Sequence, residues 1–420
     1  MLKNPLQSKH HTNGDMKVLY FHQHFCTPSG ANGIRSYAMS QHLIERGHSV
    51  TMVCGSYVSA DTGLRGEFRN GIRKGVVDGI DVIEMDLRYG NSDSFYKRVS
   101  TMIRYFYRAS LLIFSEKYDL IFATSTPLTA GIPGIIGSWF IRKPFIFEVR
   151  DLWPEIPRQM GIIKNPIFLF LMSLLEYITY KSARHIIALS PGIAKGIEKK
   201  NISKESITLI PNGCDMDIVE NINTRWLPKS LKRDDFIALF AGTHGPANGL
   251  FDVLAAAEEL KKRRRNDIKI LLVGEGKHKK SLIKKAKNKN LDNIIFHEYV
   301  PKAKLFELMN SVDIGLQTLA DIPAFYYGTS PNKFFDYISA GLPVINNYPG
   351  WLAEIIKENN CGYIVKPGDP IGFANALEAA STNSKLCEMG SNSKDLAINM
   401  FNRKVLARKW VDTIEKIYLN

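Results

Sequence analysis

The amino-acid sequence predicts an α/β protein made of two doubly wound domains, each a parallel sheet with helices on both faces. Three observations predict this fold class. The 420 residues exceed what a single hydrophobic core usually serves. Short continuous apolar runs alternate with longer amphipathic segments, which is typical of buried parallel strands joined by helices. This alternation stops at a polar stretch between Pro211 and Asp235 and then starts again.

The first half of the chain, residues 16–218, contains six apolar runs of strand length. The six predicted strands are Lys17–His22, Ser49–Cys54, Asp81–Met85, Leu120–Ala123, Phe145–Val149 and His185–Leu189. Gly33–Arg46 and Ser94–Lys117 have the apolar spacing of helices. The stretch that holds Gly63, Gly66, Gly71 and Gly75 predicts a loop. Residues 1–15 are polar and predict a flexible extension.

The second half, residues 219–400, repeats the pattern with five predicted strands. These are Phe236–Phe240, Ile268–Val273, Ile294–His297, Asp313–Leu316 and Pro343–Ile345. Leu250–Arg264 and Asn332–Ala340 are predicted helices, and Gly341 is the expected C-cap of the second. Two such domains would leave a cleft between them. Because ligands of doubly wound sheets bind at the carboxyl ends of the strands, the loops after the strands are the candidate site.

Composition and charge narrow the function classes. Ordinary glycine and proline contents exclude collagen-like and wholly disordered chains. The net charge of +14 predicts an anionic partner, which is nucleic acid, anionic lipid or a phosphorylated substrate. The five cysteines are scattered and form no CxxC pair, which disfavours a zinc ribbon or a disulfide framework and favours a reducing compartment.

No targeting or membrane-spanning segment is expected. The first fifteen residues lack the apolar stretch of a signal peptide. The most apolar segment, Ile167–Leu175, is well short of the ~20 residues that span a bilayer. The protein is therefore expected in the cytoplasm, attached to a membrane surface at most.

The loop after the first strand, Pro28–Ser36, is a candidate phosphate-binding loop. Its glycines allow the backbone to approach a ligand closely, and the helix that follows offers free N–H groups to an anion. Asn32 and Gly33 stand at this helix start. The alternative is an ordinary strand-to-helix turn. A second glycine pair, Gly274 and Gly276, lacks the third glycine of a dinucleotide fingerprint, so a tight turn that lines the cleft is favoured over NAD binding.

The segment Ser330–Ile345 predicts a helix N-terminus that binds phosphate. Pro331 and Asn332 open the helix, and Lys333 lies in its first turn, where the helix dipole disfavours a cation unless an anion is bound. Asp336 follows on roughly the same face and could accept ribose hydroxyls. The alternative is a solvated surface pair.

The segment Glu148–Glu155 places charges at the end of a strand. Asp151 or Glu155 could orient or deprotonate a hydroxyl, which makes Arg150, Asp151 and Glu155 the candidate catalytic residues. Trp153 lies among them and is a candidate acceptor contact. The alternative is an Arg150–Asp151 ion pair that only holds the loop.

No metal site is predicted. Asp215-Met216-Asp217 has the DxD spacing used for Mg²⁺-nucleotides, but it follows a Pro-Asn-Gly turn at the proposed linker and is interpreted as a turn and a hinge. His22 and His24 lack further ligands of suitable spacing.

The helix over Ser94–Lys117 would carry a basic stripe. Lys97, Arg104 and Arg108 fall within it at offsets of seven and four residues. Such a face could rest on anionic lipid or contact an acceptor. A core-facing helix with a solvated basic side fits the pattern equally well.

Taken in order, these motifs resemble the GT-B glycosyltransferases of family 4, and the resemblance covers residues 16 to about 415. It is closest to the branch that makes bacterial surface polysaccharides (O-antigen and capsule), which includes transferases of N-acetylated 6-deoxy-amino sugars. The segments that carry it are KVLYFHQHF, SGANGIRSYAMSQHLIERGHSVTMV, FEVRDLWPE, ITLIPNGCD, FAGTHGPANGLFDVLAAA, ILLVGEGKHKKSL and SPNKFFDYISAGLPVI.

The resemblance implies roles for the candidate residues. The Gly30–Gly33 loop would approach the donor diphosphate, and Lys333 with the helix N-terminus around Asn332 would neutralise it. Asp336 would hold the ribose and Asp151 would face the acceptor. It also implies that residues 401–420 form a helix that crosses back to the N-terminal domain, with hinges near Gly213–Trp226 and near residue 400.

The sequence departs from the family pattern at three places. The family often carries two acids eight positions apart, and Gly328 stands where the first is expected, which leaves the donor sugar open. Thr243 and Asn248 replace the usual Arg and Lys of the second domain, and His244 or Lys333 could compensate. Arg150 stands in the region of a common His.

The leading hypothesis is a retaining, metal-independent glycosyltransferase without a cofactor. It would use a UDP-linked donor and a polyprenyl-diphosphate-linked acceptor at the inner face of the plasma membrane, and it would bind no nucleic acid. A nucleotide-sugar epimerase on the same fold and a non-catalytic protein that binds polyanions or membranes are the alternatives.

Overall fold

The computed structural model describes residues 15–30, 33–57, 60–90, 93–232 and 234–419, and they form two parallel sheets covered by helices. This confirms the predicted two-domain α/β architecture. All eleven predicted strands are present, each with bounds close to those expected. The predicted extension, residues 1–15, lies outside the described residues except for Asp15.

The N-terminal sheet has eight strands in the order β3-β4-β2-β1-β5-β6-β7-β8, and its edge strand β3 runs antiparallel to β4. The strands are β1 (Lys17–Phe21), β2 (Ser49–Tyr57), β3 (Ile72–Val77), β4 (Ile80–Tyr89), β5 (Leu120–Thr124), β6 (Phe145–Val149), β7 (His185–Ala188) and β8 (Ile207–Leu209). The helices are α1 (Arg35–Glu45), α2 (Phe95–Ser115), α3 (Ile132–Ile136), α4 (Glu155–Gln159), α5 (Pro166–Ser182), α6 (Pro191–Glu198) and α7 (Met216–Glu220).

The loop predicted around Gly75 is wrong in part, because β3 occupies Ile72–Val77. This strand forms a hairpin with β4 through Asp78 and Gly79, both with positive φ (48° and 83°). An Asp-Gly pair is the sequence preferred by a two-residue hairpin turn. The hairpin was missed because β3 lies at the edge of the sheet and lacks a continuous apolar run.

The C-terminal sheet has six parallel strands in the order β11-β10-β9-β12-β13-β14. They are β9 (Phe236–Ala241), β10 (Ile268–Val273), β11 (Ile294–His297), β12 (Ile314–Gln317), β13 (Val344–Asn346) and β14 (Gly362–Ile364). The helices are α8 (Leu250–Lys262), α9 (Lys279–Asn288), α10 (Lys302–Met309), α11 (Pro323–Tyr327), α12 (Asn332–Ser339), α13 (Trp351–Glu358), α14 (Pro370–Thr382), α15 (Leu386–Asn399) and α16 (Arg403–Leu419).

This strand order places a topological switch between β9 and β12. Their connections leave toward opposite edges of the sheet and open a crevice at their carboxyl ends, where doubly wound domains bind ligands. The loops after β9 and β12 and the N-terminus of α12 border this crevice. Gly341 follows α12 with φ 72°, as expected of a residue that ends a helix.

The last helix, α16, packs against the N-terminal domain, as the resemblance implied. Trp410 is fully buried there, and its ring lies 4.8 Å from that of Phe122 and 6.2 Å from that of Tyr20. On the surface, Arg46, which directly follows α1, pairs with Glu415 of α16. The C-terminal helix is therefore part of the N-terminal core.

Two chain segments connect the domains, and they run side by side. Cys214 accepts a hydrogen bond from the backbone of Arg403 (3.0 Å) and donates one to Phe401 (2.7 Å). Both expected hinge regions thus meet at one place. None of the helices within the described ranges is long and apolar enough to cross a membrane.

Candidate active site

The glycine loop of the first domain meets the Ser330–Ile345 motif of the second across the cleft. A Cβ atom on Gly33 would lie 2.6 Å from Nδ2 of Asn332, so a larger residue there would require the Asn332 side chain to shift. Nearby, the amide of Asn212 donates to the backbone of Ser330 (2.6 Å), which ties the interdomain turn to the same motif. Asn32, the other candidate of this loop, lies outside the described residues.

Lys333 extends from the first turn of α12 into the crevice between β9 and β12. Its ammonium donates to Oδ1 of Asn248 at 2.5 Å and lies 4.5 Å from the ring centre of Phe240. Among the described residues no carboxylate lies within ion-pairing distance of it. Because burial disfavours the charged form, the pKa of Lys333 falls to about 7. This half-buried amine lacks a counter-ion, as expected of an anion-binding site.

Thr243 and His244 form the loop after β9 beside Lys333. His244 is fully buried, and among the described residues neither ring nitrogen has a hydrogen-bond partner. Burial and the neighbouring Lys279 lower the pKa of His244 to about 4, so the ring is neutral at pH 7. A Cβ atom on Gly274 would overlap the carbonyl oxygen of Gly242. The turn after β10 therefore carries glycine because it packs closely against the turn after β9.

Asp336 belongs to a chain of charges that reaches the hinge. Nζ of Lys302 lies 3.3 Å from Oδ1 of Asp336 and 2.5 Å from Oδ2 of Asp215. Arg403, the first residue of α16, also pairs with Asp215. Burial raises the pKa of Asp336, against the attraction of Lys302. Asp336, the residue predicted to bind the ribose, is therefore also linked by ion pairs to both interdomain segments.

The two acids of the DxD spacing, Asp215 and Asp217, both pair with basic side chains. Although burial opposes its charge, Arg403 and Lys302 hold the pKa of Asp215 well below its ordinary value. Asp217, the second acid of the DxD spacing, pairs with Lys404 at 2.8 Å. Both carboxylates are thus occupied by cations of the hinge. Within the described ranges no group of three or more His, Cys, Asp or Glu side chains could hold a metal ion.

Gly328 follows α11 and has little room for a side chain. A Cβ atom there would lie 2.6 Å from the carbonyl oxygen of Ala324 and about at contact distance (4.0 Å) from Leu152. An acid at this position would require the backbone to shift. The departure from the family pattern at Gly328 therefore coincides with a local backbone arrangement that favours glycine.

Arg150 is held in place by two residues that directly follow strands, Ser125 after β5 and His22 after β1. Its backbone N–H donates to Oγ of Ser125 (2.8 Å), and its guanidinium lies 3.4 Å from Nε2 of His22. Nδ1 of His22 is 2.7 Å from Oγ of Ser36. Burial and the charge of Arg150 keep the pKa of His22 well below its ordinary value. A neutral His22 can accept from Arg150 at Nε2 and donate to Ser36 from Nδ1.

His22 is a site residue that the sequence reasoning missed. The spacing of His22 and His24 predicts no metal site, and the contact of His22 with Arg150 is not apparent from the sequence. The signal that could have found His22 is its position, because it comes directly after β1, where the loop toward Gly33 begins. His22 follows β1 and Arg150 follows β6, so both lie at the carboxyl ends of the strands, where the His22 ring contacts the Arg150 guanidinium.

Asp151 and Glu155 differ in their surroundings. Burial raises the pKa of Asp151, and Arg150 opposes this only partly. Glu155 pairs with Arg158 (2.6 Å) and accepts from Gln159, whose own amide oxygen accepts from the backbone of Ala324 across the cleft (2.8 Å). The pKa of Asp151 is thus raised by burial, while Glu155 holds α4 against α11 through Gln159.

The remaining candidate residues are Trp153 and the three cations of the basic stripe on α2. Trp153 packs at the edge of the N-terminal core. On α2, Lys97 pairs with Asp93 (2.7 Å) and Arg108 donates to the carbonyl of Gly71 (3.2 Å), so two cations of the basic stripe have partners. Arg104 is exposed. These helix residues lie outside the cleft.

Two family profiles match consecutive parts of the chain. Residues 33–218 match Glycosyltransferase Family 4, and residues 223–395 match Glycosyl transferases group 1. Together the matches include strands β2–β14 and leave out only β1 of the two sheets. The chain therefore belongs to the GT-B glycosyltransferases of group 1 and family 4.

Individual relatives are distant. An uncharacterized glycosyltransferase of Methanocaldococcus jannaschii is 19% identical over 255 residues, which are 60% of this chain and 64%, less than two thirds, of that protein. The capsular polysaccharide biosynthesis glycosyltransferase CapM of Staphylococcus aureus is 22% identical over 321 residues, 73% of this chain and 78% of that protein. The crystal structure of Anabaena HepE in complex with UDP and glucose has a TM-score of 0.67 at 16% identity and covers 96% of this chain and 100% of that one.

Proposed function

We propose that this protein transfers a sugar from a UDP-linked donor to a lipid-linked saccharide, with retention of the anomeric configuration and without a metal ion. The observation that carries the proposal is Lys333, an amine in the first turn of α12 with no carboxylate partner among the described residues, next to Asn332, which meets Gly33 across the cleft. Cation, helix N-terminus and close-approaching backbone are together the groups that bind a diphosphate. The ammonium supplies positive charge that a metal supplies in other transferases.

In the proposed reaction the bond between the anomeric carbon and the donor phosphate oxygen breaks, and a bond to the acceptor oxygen forms on the same face. The acceptor proton passes to the leaving phosphate oxygen. The main catalytic requirement is then stabilisation of charge that develops on the diphosphate. Lys333 and the backbone N–H groups of Asn332 and Lys333 would provide it from one wall, and Arg150, positioned by His22, from the other.

Asp336 and Asp151 would bind hydroxyl groups. Asp336 would accept from the ribose, for which Lys302 keeps the carboxylate charged and oriented. Asp151 would orient the acceptor hydroxyl, and its raised pKa suits a group close to a proton transfer. Glu155 would act on the acceptor indirectly, through the position of α4.

The identity of the substrates is supported by the relatives and by Gly328. HepE was crystallised with UDP and glucose, and CapM is named for capsular polysaccharide biosynthesis. Both support a UDP-sugar donor and a surface polysaccharide product. The absence of an acid at Gly328 removes a ligand for sugar hydroxyls, which favours a donor with modified or missing hydroxyls such as an N-acetylated 6-deoxy-amino sugar. A polyprenyl-diphosphate-linked acceptor would place the protein at the inner face of the plasma membrane.

Calorimetry on the purified chain tests the donor class. UDP, GDP, ADP, CMP and NAD are titrated in turn, each with EDTA and with Mg²⁺. We expect one nucleoside diphosphate to bind with equal affinity in EDTA and in Mg²⁺. We expect the Asp336→Ala variant to lose this binding. Lys287→Ala, at an exposed position of α9, is the control and should leave the affinity unchanged. Absence of binding across the panel would contradict the proposal.

A second assay separates transfer from epimerisation. The UDP-sugar that binds is incubated with the protein alone and then with a synthetic polyprenyl-diphosphate saccharide. A transferase releases UDP and a glycosylated lipid only when the acceptor is present, and the new linkage keeps the donor's configuration. Conversion of the donor to an isomer without acceptor would support the epimerase instead.

A further inference from the structure

Helix α5 has its polar and apolar faces reversed relative to an ordinary surface helix. Its buried residues include Glu176 and Thr179, and its exposed side is apolar. Ile167 is 70% exposed and Phe170 is 66% exposed, and Leu171, Leu174 and Tyr177 extend the same stripe along the helix. Glu176 is held inside by Lys200 at 2.8 Å. In a surface helix of a water-soluble domain, the apolar stripe faces the core instead.

Two neighbouring elements extend this surface. The segment Gly137–Ile141, which continues α3, exposes Trp139 and Phe140, the latter to 71%. Oγ of Ser138 donates to the carbonyl of Ser182 at the end of α5 (3.1 Å), so the two elements adjoin. On α2, the outward residues Tyr107, Leu111 and Phe114 follow one another at helical spacing. Ile141 and Phe114 line one shared depression. We call the exposed apolar side chains of α2, Gly137–Ile141 and α5 the apolar face.

Most charges around the apolar face are basic, and the acids beside its Phe114–Ile141 depression, Glu116 and Asp119, lie within ion-pair distance of Lys74 and Lys143. Segments 95–115, 137–143 and 162–184 contain nine Lys and Arg residues and a single acid, the buried Glu176. Arg104, Arg142 and Lys164 are exposed at its borders. Large apolar side chains flanked by cations bind membranes that carry anionic headgroups, because the apolar atoms leave water while the cations meet phosphate.

We propose that the apolar face seats in the interface of an anionic lipid bilayer, with α5 lying in the plane of the surface. A second copy of the chain is a weaker candidate, since a symmetric dimer through this face would oppose two sets of cations. Contiguous exposed apolar surfaces of this kind mark interaction sites rather than ordinary solvent-facing surface. The contact involves only the N-terminal domain, so the C-terminal domain remains able to move.

The apolar face adjoins the proposed acceptor loop. The chain passes from Asp151 through α4 to Asn165, whose side chain caps the start of α5 at Ile167 (2.9 Å). A helix held at the bilayer surface would therefore keep the Asp151 loop close to the lipid headgroups. This consequence rests on the proposed function, because it gives a lipid-linked acceptor a short path into the cleft. The membrane contact itself does not depend on catalysis.

Vesicle sedimentation with the full chain tests the proposal. Vesicles of phosphatidylcholine alone are compared with vesicles that contain about one third phosphatidylglycerol. We expect binding to the anionic vesicles, weakened but not abolished by high salt, because apolar contacts remain when charges are screened. The double variant Phe170→Gln/Leu171→Gln should lose at least about tenfold in vesicle affinity, since both side chains are already exposed and their replacement should not unfold the domain.

The control is Ile371→Gln/Ile398→Gln, which alters two exposed apolar residues of the C-terminal domain and should bind vesicles like the wild type. Equal binding by the Phe170/Leu171 variant and the wild type would overturn the proposal. So would a wild-type dimer that becomes monomeric in this variant without any vesicle binding, which would indicate a second copy as the occupant. UDP titrations of the same variant should be unchanged. Vesicle binding without UDP binding would refute the proposed function and leave this inference standing.

Discussion

Lys333 is expected to take up a proton when a nucleoside diphosphate binds above neutral pH. In the free protein burial lowers its pKa to about 7, so the amine is mostly neutral at pH 8. A bound diphosphate favours the ammonium and raises the pKa again. Binding at pH 8 must therefore include protonation, whereas binding at pH 6 starts from the charged form and requires none.

The size of the effect follows from this linkage. Above the free-state pKa each pH unit should weaken UDP binding by up to about tenfold, or about 1.4 kcal/mol, until the pKa of the bound state is reached. Below it the contribution of Lys333 to the pH dependence vanishes. UDP binding should therefore weaken as the pH rises. This is the direction expected of a base with a lowered pKa, because charging the amine costs free energy in the unliganded protein and the ligand offsets this cost.

Calorimetry across about pH 6 to 9 measures both quantities. The dissociation constant gives the slope, and titrations in two buffers of different ionisation enthalpy give the number of protons taken up. Lys333→Met is the matched comparison, because it keeps the chain length and removes the charge. At pH 6 it should bind UDP more weakly by about 1.5–3 kcal/mol, the range of a hydrogen bond to a charged group.

The difference between the two profiles isolates Lys333, since the phosphate's own titration is common to both. A difference that stays constant across the range, with no proton uptake by the wild type at pH 8, would refute the argument from burial. Equal affinity of the two proteins at pH 6 would refute the placement of the diphosphate.

Three further predictions concern the structure around the cleft. Lys302→Met should lower the free energy of unfolding by about 3 kcal/mol, because it leaves a buried carboxylate without its cation. The control Lys304→Met, on the same helix, removes only a surface ion pair and should lower the free energy of unfolding by less than about 1 kcal/mol. Thermal unfolding measures both. Trp410→Ala should cost about 3–5 kcal/mol, because it empties the space between α16 and the N-terminal sheet; calorimetric melting measures this, and an unchanged melting temperature would contradict the packing. Gly33→Ala should weaken UDP binding about tenfold without changing thermal stability, because the new methyl group meets Asn332, and the double variant Gly33→Ala/Asn332→Ala should recover most of the affinity in the same titration.

Most of the fold could be predicted from local patterns. Buried parallel strands are continuous apolar runs, and each of the eleven runs predicted as a strand is a strand with nearly the predicted bounds, while the longer apolar run Ile167–Leu175 lies in the helix α5. The strands that were not predicted are short or lie at the edge of a sheet. β3 and β14 lie at sheet edges, where burial imposes no continuous apolar run, and β8 has only three residues. The Asp78-Gly79 turn was a usable signal for β3 that was not used.

The candidate site was predictable in its parts but not in its pairings. Lys333 and Gly33 were singled out because glycine and a cation at a helix start are locally unusual. That Asn248 would hold the ammonium of Lys333 could not be read from the sequence, since 85 residues separate them. His22 was missed for the same reason, because its partner Arg150 comes from another strand. Long-range partners depend on sheet order, which the apolar pattern does not specify.

Under the proposed function, the ion-pair chain from Asp336 to Arg403 would connect nucleotide binding to the segments that join the domains. Asp336 lies on α12, Lys302 on α10, Asp215 in the interdomain turn and Arg403 at the start of α16. Lys302 is shared between two carboxylates, so a ribose that engages Asp336 would alter how strongly Lys302 holds Asp215. Both interdomain segments meet at Asp215 and Arg403, and nothing else in the described hinge carries buried charge of comparable density. A ligand on α12 can therefore bias the hinge through side chains that never contact it, which is a physical route for donor binding to favour one domain arrangement.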